Sequence, residues 1–205
     1  MGKNNQGGMK LEIYLIRHAK SEKSGGGQKD TGLSEHGVKQ TIKIGRFLSK
    51  KQIDKIYSSP LKRAKLTAMS IASYQQQHVF IHPLLMERTH GILDGLTNEE
   101  RLAHYPAVYR YLEKQPTSKA PDGETYEDVK KRVVQFIETV IKKEREDARI
   151  VIVSHGEWLN IFMHTILKLE EQLYPAFHFK TSSYSLIEWS EKKIRVRYLN
   201  RDNHL

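Results

Sequence analysis

Arg17 and His18 stand side by side directly after an apolar run, LEIYLI, from Leu11 to Ile16. A second apolar run, Ile150 to Val153, ends in Ser154, His155 and Gly156. The segment SSPLKRA adds Arg63, and the segment LLMERTHG adds Glu87. These side chains suit transfer of a phosphoryl group. A neutral imidazole nitrogen can attack phosphorus, the planar fork of an arginine fits phosphate oxygens, and a carboxyl can protonate the departing oxygen. Each residue alone also has an ordinary structural reading. Arg17 can pair with an acid at a strand end, either histidine can be a satisfied core residue, Arg63 can be solvated between Lys62 and Lys65, and Glu87 can bridge to Arg88.

The elements that must position them follow from the hydrophobic pattern. Strands are expected at 11–16, 53–57, 79–81, 150–154, 184–189 and 193–198. Helices are expected at 34–50, 60–74, 97–104, 125–147 and 156–168. Strand and helix alternate early, which predicts an α/β fold with a mostly parallel central sheet. In such sheets ligands bind beyond the carboxyl ends of the strands, where His18 and His155 both fall. Ser59 reads as an N-cap and Pro60 as the first helical residue, so Arg63 lies in a first turn. A cation is disfavoured there, and an anion bound at the helix start would give Arg63 a partner. Residues 84–123 break the alternation with Pro106, Pro116, Pro121, Gly91 and Gly95. They are expected to form a cover over the strand edge. Residues 1–10 read as a disordered leader and 11–205 as one domain.

Composition bounds the alternatives. The chain has 205 residues, 38% hydrophobic and 28% charged, enough for one α/β domain with a buried core. Its apolar runs are too short to span a bilayer, and no charged then apolar leader opens it. There is no cysteine, so disulfides and thiolate metal sites are excluded and a cytoplasmic location is expected. The net charge of +10 suits an anionic ligand. Its basic runs are interleaved with Glu on an expected helix, and no nucleic-acid motif accompanies them, so no nucleic-acid partner and no membrane partner are expected. The ten histidines form no metal-binding spacing. His90 and His104 fall in the cover, where surface positions are expected and facing the substrate is the alternative. Gly25 to Asp30 lacks the ending of a phosphate-binding P-loop and reads as a flexible connection.

Read in order, these segments resemble the histidine phosphatase superfamily in its phosphoglycerate-mutase-like branch. LIRHA is similar to the opening motif of that family. DTGLSEHGVKQ matches the turn into its first helix, with Asp30, Leu33, Ser34, Gly37 and Gln40 in register. SSPLKRAKLTA is close to the motif of the second arginine, and Glu87, Gly91, Asp94 and Gly95 fall on the next one. PDGET, VSHG and TSSYSLIEW resemble those that follow, and the likeness runs from about residue 11 to 198. It implies a three-layer α/β/α sandwich. It also implies that His18 becomes phosphohistidine, that Arg17, Arg63 and His155 hold the phosphoryl group, and that Glu87 is the proton donor. No cofactor or metal is implied, because the arginines and the second histidine supply the positive charge.

The chain departs from the family pattern in places. Ala19 replaces a usual Gly, tolerable only if the backbone there avoids positive φ. Lys20 replaces a common acid. Ser21 keeps a hydroxyl that is expected to bond in the pocket. Ser24 stands where many members carry a phosphate-touching Asn, and Ser24 and Arg88 are assigned to substrate binding. The expected activity is a metal-independent phosphatase acting on a small phosphorylated metabolite, as a monomer or homodimer. A mutase of the same family is the alternative, and a catalytically silent phosphate-binding module is the alternative of another class. The short chain favours hydrolysis over the mutase, and the complete catalytic set disfavours the silent module.

Overall fold

The computed structural model describes residues 10–23, 26–190 and 192–205. The expected leader, apart from Lys10, lies outside the described residues, as does Ser24. Lys10 pairs with Glu188.

Six strands form one sheet in the order β3-β2-β4-β1-β5-β6. They are β1 (Leu11–Arg17), β2 (Lys55–Ser58), β3 (Val79–Ile81), β4 (Arg149–Ser154), β5 (Tyr184–Trp189) and β6 (Ile194–Arg201). The pairs β1·β4, β2·β4 and β2·β3 are parallel, and β5 and β6 join antiparallel on the β1 side. The apolar runs are explained by burial on both faces. Ile13 and Leu15 of β1, with Ile150 and Ile152 of β4, face one core. Tyr14 and Ile16, with Val151 and Val153, face the other.

Helices cover both faces, giving the expected three layers. On one side lie α1 (Glu35–Leu48) and α2 (Lys62–Gln75), which bury Ile44, Leu48, Ala64, Ala68 and Ile71. On the other lie α5 (Tyr126–Thr139) and α6 (Gly156–Leu167), which bury Val129, Val133, Phe136, Trp158 and Phe162. Thus the helix after β1 packs on one face and the helix after the adjacent β4 packs on the other. The crevice between two such strand ends is where an α/β sheet binds its ligand.

Several boundaries differ from the sequence expectation. The helix expected over 125–147 stops at Thr139, followed by a 3₁₀ turn at Ile141–Lys143. Ile141 is buried there and Glu144 bonds Lys55 and Tyr57 of β2, which draws the chain off the helix axis. The segment 84–123 holds two helices, α3 (Asn98–His104) and α4 (Pro106–Lys114), where one was expected. Pro106 is the first residue of α4, a position that needs no N–H and so tolerates proline. Ala19 is buried, and its φ is not positive, so its methyl is accommodated.

Candidate active site

The β1·β4 register sets Arg17 directly against Ser154, so His18 and His155 leave the sheet at the same level. Their rings lie 5.0 Å apart. β2 ends beside them, with Ser58 paired to Val153, and its chain leads into α2 and Arg63. Arg63 Nε–H donates to His18 Nε2 at 3.2 Å. The other ring nitrogen, Nδ1, lies 2.8 Å from the Ala19 carbonyl and donates to it. This fixes the tautomer with the proton on Nδ1 and the lone pair on Nε2. Ala19 N–H is held in turn by Thr67 Oγ1 at 3.0 Å. The imidazole is thus oriented from both sides, with its Nε2 lone pair accepting the Arg63 N–H.

Both histidines are fully enclosed. Burial, followed by the charges of Arg63 and Arg17, pushes His18 well below the ordinary imidazole range. His155 is pushed well below as well, by burial first and then by His18, Arg63 and Arg17. Burial therefore favours the neutral form of His155 as a hydrogen-bonding group. Its Nε2 lies 2.8 Å from Ser59 Oγ, and its buried Nδ1 has no partner. Ser59 Oγ also accepts the Leu61 N–H at 3.3 Å, but α2 begins at Lys62, so Ser59 is not its N-cap. Leu61 holds that place without a side-chain bond, and Asp30 Oδ1 accepts the Lys62 N–H at 2.6 Å. The Asp30 carboxylate thus caps this helix start beside Arg63.

Arg17 donates through NH1 to the Phe179 carbonyl at 2.6 Å, while its buried Nε has no partner. Arg63 donates from NH1 to the Lys29 carbonyl (2.8 Å) and from NH2 to the Gly27 carbonyl (2.6 Å). The segment Gly26–Asp30 is therefore a strap on the second arginine rather than a plain connection. Gly27 has φ +62, and a Cβ there would lie 1.6 Å from Asp94 Oδ1, so only glycine fits. Gln28 ties the strap to the far wall, through its N–H to Asp94 (3.1 Å) and its side chain to the Glu87 carbonyl (2.9 Å).

Beyond the strap lies a cavity of about 660 Å³. Arg17, Gly27, Glu87, His90, Glu157 and Tyr174 are among its lining, together with side chains of α3 and α4. Gly27 faces this cavity while bonding Arg63, so the strap divides the cavity from His18 and Arg63. Glu87 sits at the start of α6. Its Oε1 accepts the N–H groups of Arg88 (3.0 Å) and Trp158 (3.1 Å), and Oε2 accepts a longer bond from Glu157 N–H (3.4 Å). Burial, then repulsion from Glu157, raises the Glu87 carboxyl above its usual range, against the pull of Arg63.

The sequence-predicted residues thus divide. Arg17, His18, Arg63 and His155 are brought together, and Glu87 stands on the adjoining wall. Ser21 is not in the pocket. Its hydroxyl donates to the Lys23 carbonyl at 2.8 Å, because Ser21 bridges to Leu33 at the surface. Arg88 does line the cavity, yet its guanidinium is committed elsewhere. It donates to the carbonyls of Glu124 (2.8 Å), Pro116 (2.6 Å) and Ser118, so it braces the segment above it. His90, expected at the surface, is turned inward onto Glu157 at 2.8 Å. Ser59, Thr67, Glu157 and Tyr174 were not foreseen as parts of the site. Only Glu157 left a sequence signal, an acid in a helix's first turn immediately after Gly156. Among the described residues, no cluster of three or more His, Asp or Glu side chains is arranged to hold a metal. No helix among them is long and apolar enough to cross a membrane.

Comparison with known proteins converges on one family. The sequence pattern of the histidine phosphatase superfamily (branch 1) matches residues 13–202. Phosphoserine phosphatase 1 of Hydrogenobacter thermophilus is 32% identical over 200 residues, covering 95% of this chain and 94% of that protein. A metal-independent phosphoserine phosphatase of Arabidopsis thaliana is 30% identical over 194 residues, covering 88% and 81%. Among solved structures, a phosphoserine phosphatase mutant from Entamoeba histolytica in complex with phosphoserine superposes with a TM-score of 0.81 at 25% identity, covering 95% of this chain and 99% of that one.

Proposed function

This chain belongs to the histidine phosphatase superfamily and is a phosphoric monoester hydrolase, and from that premise we propose which residues do the work and on what. The substrate is a small phosphomonoester with an alkyl leaving group, of the O-phosphoserine kind. His18 Nε2 attacks phosphorus as the ester oxygen departs, and Glu87 gives that oxygen a proton. Water then attacks the phosphohistidine, Glu87 takes its proton back, and inorganic phosphate and free imidazole result. Arg17, Arg63 and His155 hold the equatorial oxygens throughout. The observation that carries this reading is the oriented His18 imidazole, with Nδ1–H on the Ala19 carbonyl and its Nε2 lone pair 3.2 Å from Arg63.

The electrostatics support the sequence of steps. A nucleophile must be unprotonated, and burial beside two arginines keeps His18 so. An alkoxide needs a proton, and Glu87 is the buried carboxyl whose acid form is favoured. Arg17 Nε and His155 Nδ1 are buried polar atoms without partners, which suits them to oxygens supplied by a substrate. The phosphoryl oxygens also compete with the Gly27 and Lys29 carbonyls for Arg63. Entry of substrate therefore displaces the strap, and residues 84–123 serve as the cover of a single domain. The arginines provide the charge neutralisation, so turnover proceeds without added metal. The protein works on a soluble metabolite in the cytoplasm, which fits a chain free of cysteine.

The mutase alternative is not favoured, since the relatives above are named phosphatases. The deciding experiment is turnover of a panel of phosphomonoesters in EDTA, with phosphoglycerate isomerisation followed in parallel. Phosphate release in EDTA with O-phosphoserine among the best substrates is expected. Isomerisation without release would overturn the hydrolase reading.

A further inference from the structure

Glu87 has a second carboxylate beside it that the proposed steps do not use. Glu157 is the second residue of α6, and its own N–H points at Glu87 Oε2 from 3.4 Å. The two side chains line the same cavity but have different partners. Glu157 Oε1 is paired with His90 Nε2 at 2.8 Å. Its Oε2 accepts from Arg88 NH1 at 3.4 Å and from Tyr174 OH at 3.3 Å. Glu87 receives backbone N–H groups only, and the two shorter of these both go to Oε1. That leaves Oε2 as the oxygen that can carry a proton.

We propose that Glu157 is a positioning residue that keeps Glu87 in its acid form: His90, Arg88 and Tyr174 hold Glu157 as the anion, and that neighbouring negative charge keeps a proton on Glu87 Oε2. This rests on the assignment of Glu87 as the proton donor. Two close carboxyls in unlike surroundings do not ionise together, and the one with cationic partners ionises first. Burial opposes the Glu157 charge, yet the His90 bond and the charges of His90 and Arg88 outweigh it and lower its pKa. His90 is raised in return, its own burial outweighed by the Glu157 bond.

The other groups facing the pair do not reverse this order. Arg63 of α2 and His90 both favour ionised Glu87, but each acts less strongly than burial and Glu157. Arg17 of β1 lines the same cavity with NH1 bonded to Phe179, and its charge attracts both carboxyls, so it does not single out Glu87. Arg132 of α5 spends its donors on the Glu124 carboxylate and on the carbonyls of Leu84, Met86 and Glu87. His18 and His155 are held neutral.

The test is the pH profile of kcat/KM for O-phosphoserine in wild type, Glu157→Gln and Glu87→Gln. Removing the Glu157 charge should let Glu87 ionise earlier, moving the high-pH limb down by about one pH unit. The loss at pH 8 should be greater for O-phosphoserine than for p-nitrophenyl phosphate, whose leaving group needs no proton. A high-pH limb unmoved in Glu157→Gln, with Glu87→Gln strongly impaired, would overturn the proposal while leaving the acid assignment intact. Wild-type turnover of O-phosphoserine by Glu87→Gln would overturn the assignment itself. Should Glu157→Gln fail to fold, carboxyl ¹³C titration of the wild-type protein decides. Glu87 is expected to titrate above the usual carboxyl range and Glu157 below it, and the reverse order would overturn the proposal.

Discussion

The floor and the wall of this site are built by different means. Arg17, His18 and His155 lie within a residue of a strand end, and the parallel β1·β4 register brings Arg17 opposite Ser154. Their positions follow from the core, because a slip of one residue would move every side chain of β1 to the wrong layer. Glu87, Arg88 and His90 come instead from the irregular chain between two 3₁₀ turns, Pro83–Leu85 and Gly91–Leu93. There the backbone is held by side chains. Arg88 and Arg132 gather carbonyls, and Glu124 receives the Thr89 N–H. The difference teaches that the phosphoryl-handling half is fixed by sheet topology, and the leaving-group half by a hydrogen-bond network that can change independently.

Variants can break that contrast. On the floor, Arg63→Ala should lower kcat/KM by about 10³-fold for every phosphomonoester, since it removes transition-state charge stabilisation. A loss confined to one leaving group would erase the distinction. On the wall, Glu87→Gln should cost about 10²-fold on O-phosphoserine and clearly less on p-nitrophenyl phosphate. Equal losses on both would place Glu87 with the floor. Ser59→Ala takes one hydrogen bond from His155 and should cost about tenfold in kcat/KM, with little substrate dependence.

Stability offers a gentler test of the same contrast. His18 and His155 have folded pKa values below the unfolded value of 6.5. Their contribution is therefore fully present above pH 6.5 and is lost as the pH falls below it, by about 1 kcal/mol per histidine for each pH unit. A thermal unfolding series from pH 7.5 to 5.5 should show a smaller drop for His155→Gln than for wild type. Equal drops would mean that the floor histidines do not carry this dependence.

Legibility in the sequence follows the same division. Apolar runs buried on both faces announce β1 and β4, and the residues released at their ends announce the floor. Arg63 is placed through SSPLKRA, although the local reading of Ser59 as an N-cap hides its bond to His155. Glu87 is found through a motif, but that Arg88 beside it braces the chain as well as lining the cavity, and that His90 turns inward to Glu157, is not. Such partners lie far apart in sequence, as Glu157 and His90 do, and no local periodicity encodes them. The strap was missed for a related reason. A run of glycines reads as slack chain until Asp94 and Arg63, from other parts of the fold, are seen to require it.

The most direct test of the account is to trap the phosphoenzyme. Wild-type protein mixed with ³²P-labelled O-phosphoserine in EDTA and quenched in alkali should carry an acid-labile, alkali-stable label on His18, bonded through Nε2, and His18→Ala should carry none and release no phosphate. Label on any other residue, or wild-type turnover by His18→Ala, would contradict it.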